Sequence, residues 1–135
     1  MLKIEHIGIA VKDLEKSNEL FAKLFGKPNY KTETVASEKV STAFFKMGES
    51  KIELLQASNP ESAISKFIEK RGEGIHHIAF EVNDIEKEVE RLKAEGFEPT
   101  HPEAKPFRGA NNKLVFFFHP KTTNGVLIEL CQEIK

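Results

Sequence analysis

Two histidines and two glutamates recur at matched places along this 135-residue chain, and all four are residue types that bind divalent cations. His6 opens the stretch HIGIAVKDLEK and His77 opens HIAFEVNDIEK; six of the eleven positions are identical and three more are conservative. Each copy closes on a second matched triplet, Ile52-Glu53-Leu54 and Ile128-Glu129-Leu130. The His-to-Glu separation is 47 residues in the first copy and 52 in the second. A chain that repeats itself must be read first as a repeat. Two imidazoles and two carboxylates form a borderline-to-hard ligand set, suited to one Co, Zn, Ni, Mn or Fe(II) ion per chain. Four such ligands leave an octahedral ion two positions for a bidentate oxygen substrate, whose carbonyl it would polarise as a Lewis acid.

The elements that must position these groups follow from pattern. Ile7, Ile9 and Val11 alternate with His6, Gly8 and Ala10, as on a half-buried strand. Asp13 is placed to cap a helix that Gly26 ends, with Leu14, Leu20, Phe21, Leu24 and Phe25 as its apolar stripe. Strands are expected near 30–35, 40–46 and 50–56, with Gly48 in the hairpin between the last two. A connecting helix is expected over about 60–71, capped by Ser58 or Asn59 with Pro60 in its first turn. The pattern then recurs: Ile78, Phe80 and Val82 form a strand face. Asp84 is the cap, Ile85, Val89 and Leu92 form a stripe, and Gly96 is the stop. Three further strands are expected near 97–101, 113–119 and 125–131, and the five extra residues of this copy are expected within 101–112.

Each copy is therefore β-α-β-β-β. The expected fold is α+β: two tandem modules forming a curved eight-stranded mixed sheet around a metal-binding cavity. At this length the chain fits a single domain, with module one at about 1–57 and module two at about 74–133. Apolar residues of the first and last strand of each module face the helices. By parity His6, Glu53, His77 and Glu129 face the other way together.

Other candidates read more plainly. His76 shares a face with Ile78 and Phe80 and is expected to be structural, while His101 and His119 each precede a proline in turn-like contexts. Cys131 shares the parity of Glu129 and is expected to be a small packing residue; as the single cysteine it forms no intrachain disulfide and suits a reducing compartment. One of Phe116, Phe117 and Phe118 is expected to line the cavity. Arg108, in the segment Pro106 to Ala110, is available to a carboxylate or phosphate on a loop that could close over the site. Twenty basic and 21 acidic residues balance without long runs, so nucleic-acid and membrane-surface partners have no electrostatic footprint. No apolar run approaches the ~20 residues that span a bilayer, and a soluble, cytoplasmic protein is expected.

The paired modules with His and Glu at these positions resemble the vicinal oxygen chelate superfamily, which includes glyoxalase I. More narrowly, HIGIAVKDLE, GESKIELLQ, EKRGEGIHHIAFEV and FFHPKTTNGVLIELC resemble the methylmalonyl-CoA epimerase family across nearly the whole chain. The resemblance implies that His6, Glu53, His77 and Glu129 hold one divalent ion. It implies an acyl-CoA substrate epimerised at C2 through a metal-stabilised enolate, with Glu129 as one catalytic proton carrier, and a homodimer. Some members carry an additional glutamate on the middle strand; Thr42 stands at the matching place here and cannot replace it as an acid or base. Thr42 and Arg108 remain candidate substrate contacts. Two alternatives stay open, a glyoxalase I-type lactoylglutathione lyase and a metal-free small-molecule binding protein of the same fold.

Overall fold

The computed structural model describes residues 1–101 and 104–134. The chain divides into two compact units, His6–His76 and Met1–Glu5 with His77–Lys135.

Strand β1 (Lys3–Ala10) runs into the unit His6–His76 and leads into its helix α1 (Leu14–Phe25). A meander follows: β2 (Lys31–Val35), β3 (Val40–Met47) and β4 (Ser50–Ala57). The strand order is β2-β3-β4-β1. The meander pairs are antiparallel, but β4 returns parallel to β1, with Gly8 beside Glu53 and Ile9 beside Leu54. A parallel return needs a crossover, and α1 starts it. Asp13 caps α1 by accepting a hydrogen bond from the Lys16 N–H at 3.1 Å, and Gly26 ends it in the left-handed region at φ 74°. Val11, Ala43, Phe45 and Leu54 form the core under this helix, joined by Ile9, Phe21, Phe25 and Ile52. The Phe25 ring meets Phe45 edge-on at 5.2 Å.

The second unit repeats this plan. Strand β5 (Gly74–Glu81) leads into α3 (Ile85–Ala94), then β6 (Phe107–Arg108), β7 (Lys113–Phe118) and β8 (Leu127–Glu133). The order is β5-β8-β7-β6, again with one parallel pair, β5 with β8. Asp84 caps α3 through the Lys87 N–H at 3.2 Å. Val82, Ile85, Val89, Leu92, Phe116, Phe118 and Leu130 pack as its core. The first five residues of the chain are tied to this unit, Leu2 donating its N–H to the Glu81 carbonyl at 2.8 Å.

Four expectations need correction. The α1 stripe is narrower than its spacing suggests: Leu20 and Leu24 are 63% and 70% exposed. Phe21, Ala22 and Phe25 suffice to cover the sheet, so the flanking leucines stay outside. The connecting helix α2 (Ala63–Arg71) begins later than expected, with Ser62 as its cap accepting from the Ile64 N–H at 3.2 Å. Asn59 spends its side chain on the Glu61 N–H at 2.9 Å in a local turn, which holds Pro60 outside the helix. The segment 97–101 is not a ladder strand; it keeps one bridge, Pro99 with Phe118, because a proline cannot donate to a ladder. The second strand of this module is instead β6, inside the stretch 101–112 where only a loop with extra residues was expected. That stretch also contains Pro102 and Glu103, which lie outside the described residues.

Among the described residues no helix is long and apolar enough to cross a membrane.

Candidate metal centre

Strand parity decides where the chemistry sits. In the first unit Leu54 packs under α1, so its neighbour Glu53 points to the opposite face, and His6 reaches that face from β1. The His6 Nε2 lies 3.2 Å from the Glu53 carboxylate, and both residues are buried. In the second unit Leu130 packs under α3, and Glu129 takes the other face beside Ala79 and Cys131. There the His77 Nε2 lies 3.1 Å from the Glu129 carboxylate, again with both residues buried. Each unit has thus built the same His–Glu pair independently.

A carboxylate removed from water is costly unless something positive or a good donor meets it. A histidine alone can do that. The separations also suit a shared cation: adjacent ligand atoms on an octahedral ion with bonds of about 2.0–2.2 Å stand roughly 3 Å apart. Imidazole nitrogen and carboxylate oxygen are matched donors for a borderline or hard divalent ion, and each pair fits two positions of such an ion. Cys131 does not compete. Its thiol is buried on the Glu129 face, where it contacts the Phe80 carbonyl at 3.6 Å and packs with Ala79 and Val115.

Two glutamines hold the geometry, and the reading of the sequence passed over them. Gln56 and Gln132 each follow the matched glutamate by three residues, so they point to the helix side. Gln56 accepts from the Leu14 N–H at 2.6 Å and Gln132 from the Ile85 N–H at 2.7 Å. Both donors are first-turn helix amides that have no partner within their own helix. Backbone bonds beside them repeat as well: the Val11 N–H to the Leu55 carbonyl and the Val82 N–H to the Cys131 carbonyl, each at 2.9 Å. The strand carrying each glutamate is therefore latched to the helix that follows its histidine strand. The signal was present in the sequence, since the repeated triplet extends to Glu-Leu-Leu-Gln and Glu-Leu-Cys-Gln.

The remaining candidates fall as follows. Thr42 lies on the Glu53 face of β3, fully buried, with its hydroxyl donating to the Glu33 carbonyl at 3.3 Å. Arg108 stands beside Leu114, whose side chain belongs to the helix-side core. Its neighbour Phe107 stands beside Val115 and so takes the Glu129 face. Of the three successive phenylalanines, Phe117 is on that face, in register with Glu129, and its ring is perpendicular to His77 at 6.2 Å. Lys113 is a further buried polar group on the same face, 3.5 Å from Glu81 and 3.7 Å from Glu133. His76 stacks edge-on with Phe67 at 5.0 Å. His119 starts a short 3-10 turn, its Nδ1 accepting from the Lys121 N–H at 3.0 Å, and His101 is exposed.

Comparison with known proteins agrees with this architecture. Residues 5–117 match the family model of the Glyoxalase/Bleomycin resistance protein/Dioxygenase superfamily. The ethylmalonyl-CoA/methylmalonyl-CoA epimerase of Cereibacter sphaeroides is 37% identical over 96% of this chain and 97% of its own length. The mitochondrial methylmalonyl-CoA epimerase of Dictyostelium discoideum is 39% identical over 95% of this chain and 76% of its own. Among solved structures, a Streptomyces coelicolor methylmalonyl-CoA epimerase variant in complex with 2-nitronate-propionyl-CoA superposes with a TM-score of 0.93. It is 32% identical, and the match covers 100% of this chain and 99% of that one. A mixed α+β fold of paired β-α-β-β-β modules, a matched His–Glu pair in each, and relatives of this kind over the full length together place the chain in the Glyoxalase/Bleomycin resistance protein/Dioxygenase superfamily, as an isomerase of its epimerase branch.

Proposed function

We propose that the protein epimerises methylmalonyl-CoA at C2, with His6, Glu53, His77 and Glu129 together holding one divalent ion of the Co, Zn, Ni, Mn or Fe class. The observation that carries this reading is the recurrence of a buried His–Glu pair, at 3.2 and 3.1 Å, at equivalent points of both modules. Relatives that act on methylmalonyl-CoA over matching lengths support the substrate. A bound ion would supply Lewis-acid polarisation of the thioester carbonyl and hold the enolate charge that develops when C2 loses its proton.

The chain's own residues do the rest. Glu129 is the proton carrier on one face of C2, and a positioned acid or base of this kind typically contributes ~10²–10⁴-fold. Inversion requires delivery of a proton to the opposite face. Thr42 does not serve there, because its hydroxyl is buried and committed to a backbone carbonyl. Water serves that face. The enzyme works as a homodimer in the cytoplasm, where the single buried Cys131 stays reduced.

The test is to incubate metal-loaded protein with one epimer of methylmalonyl-CoA in deuterated water. Deuterium at C2 together with the opposite epimer is expected, and both should be lost in Glu129→Gln. Absence of both exchange and interconversion in the wild type would remove the proposal. Accumulation of S-lactoylglutathione from methylglyoxal and glutathione would replace it with the lyase reading.

A further inference from the structure

The duplicated modules match at their ligands but differ in the aromatic residue beside each glutamate. In the first module Phe44 stands across from Glu53, is fully buried, and lies under the Lys31 ammonium at 5.9 Å and beside Tyr30 at 6.4 Å. In the second module Phe117 stands across from Glu129 and is only half-buried. Its ring touches His77 edge-on at 6.2 Å and Phe107 at 6.1 Å, and Phe107 is 39% exposed. One module seals its aromatic residue and the other leaves an aromatic track from its His–Glu pair toward solvent.

We propose that Phe117 and Phe107 form the wall that selects the alkyl substituent at C2 of the substrate, with Phe117 setting its size limit. This rests on the epimerase reading above. The substrate's carboxylate and thioester oxygen need a cation, which His77 and Glu129 would help to hold, and its C2 proton needs a base, which Glu129 provides. The C2 alkyl group is the one apolar group bonded to the reacting carbon, and it must lie within a few ångströms of whatever flanks those two residues. Phe117 flanks both. Burying an alkyl group against it removes apolar area from water, whereas the same group against Glu129 would strip that carboxylate of polar neighbours. A hydrophobic pocket discriminates one methylene by about 10–200-fold, so a single ring can set the preference between a methyl and an ethyl substituent.

The experiment compares kcat/KM for methylmalonyl-CoA and ethylmalonyl-CoA in wild type, Phe117→Leu, Phe107→Ala and Phe44→Leu. Binding of 2-nitronate-propionyl-CoA and of its butyryl homologue to the same proteins is measured by calorimetry. Phe117→Leu should raise the ethyl-to-methyl ratio about 10-fold in both measurements. Phe107→Ala should raise it less, and Phe44→Leu should leave it within twofold. A Phe117→Leu protein that folds and keeps the wild-type ratio overturns the inference. If that variant does not fold, Phe117→Met carries the same comparison with a flexible side chain of similar volume that repacks more readily. Wild type inactive on both thioesters, yet binding the nitronates with a Phe117-dependent ratio, would reject the epimerase reading while leaving the wall in place.

Discussion

Replacing Gln132 with methionine isolates the latch between the glutamate strand and the helix. The side chain keeps its length but loses the oxygen that accepts from the Ile85 N–H at 2.7 Å. Asp84, the helix cap, is engaged with the Lys87 N–H and does not take over the vacated donor. Ile85 is fully buried, so water reaches its amide poorly. An amide left unsatisfied in such a place costs about 1–3 kcal/mol. Gln132→Met should therefore lower the free energy of unfolding by that amount in urea titrations, with an unchanged m value. Gln132→Glu keeps an acceptor and adds negative charge at a helix N-terminus, which contributes about 0.3–1 kcal/mol, so it should return stability close to wild type. The equivalent change Gln56→Met, on the Leu14 N–H, should cost a similar amount. If Gln132→Met stays within 0.5 kcal/mol of wild type, a threshold of about one surface substitution, or if glutamate is as damaging as methionine, the latch contributes nothing of this kind.

Other outcomes follow from particular contacts. Divalent ion at about 100 times its Kd should add about 2.7 kcal/mol to the unfolding free energy, and His6→Ala or His77→Ala should each abolish the gain; a variant that keeps it excludes that residue from the site. Leu24→Lys on the exposed side of α1 should change stability by less than about 0.5 kcal/mol, whereas Phe25→Ala, half-buried against Phe45, should cost about 1.5–3 kcal/mol. Equal effects in thermal or urea melts would mean that the helix is rotated from the orientation described. Glu88 is held below the ordinary glutamate value, chiefly by its hydrogen bond with Arg91 and also by the N-terminal amino group at 3.4 Å. A carboxyl lowered on folding stabilises above its unfolded pKa, and that contribution disappears as pH falls through the folded value. Arg91→Gln should raise the Glu88 pKa in a carboxyl NMR titration, and an unmoved titration would assign the shift elsewhere.

The repeat made the site's face legible in the sequence. Alternation across two strands per module is a strict geometric rule, and it sent His6, Glu53, His77 and Glu129 away from the helix-packed side as expected. Caps were legible for the same reason, because Asp13 and Asp84 need only a local amide. What escaped was set by tertiary competition. Leu20 and Leu24 have the right spacing for a stripe, but the sheet beneath α1 is covered without them. The segment at 97–101 has strand-like residues but a proline in its middle, and the ladder position went to two residues further on. Gln56 and Gln132 were overlooked because a glutamine at the end of a strand reads as solvent-facing until its partner amide is located.

The two-residue strand β6 has an evolutionary corollary. Gly109, just after it, has no room for a side chain without disturbing Val115, whose methyl carbons would sit 3.1 Å from an added Cβ. The pairing of Phe107 with Val115 and of Arg108 with Leu114 fixes which of the two looks inward. Since adjacent strand residues point to opposite sides, losing or gaining one residue in the turn that joins β6 to β7 would exchange a phenyl for a guanidinium at the rim. A single-codon indel there would thus convert a greasy threshold into an anion-seeking one while leaving both His–Glu pairs untouched, a short mutational road to a different clientele.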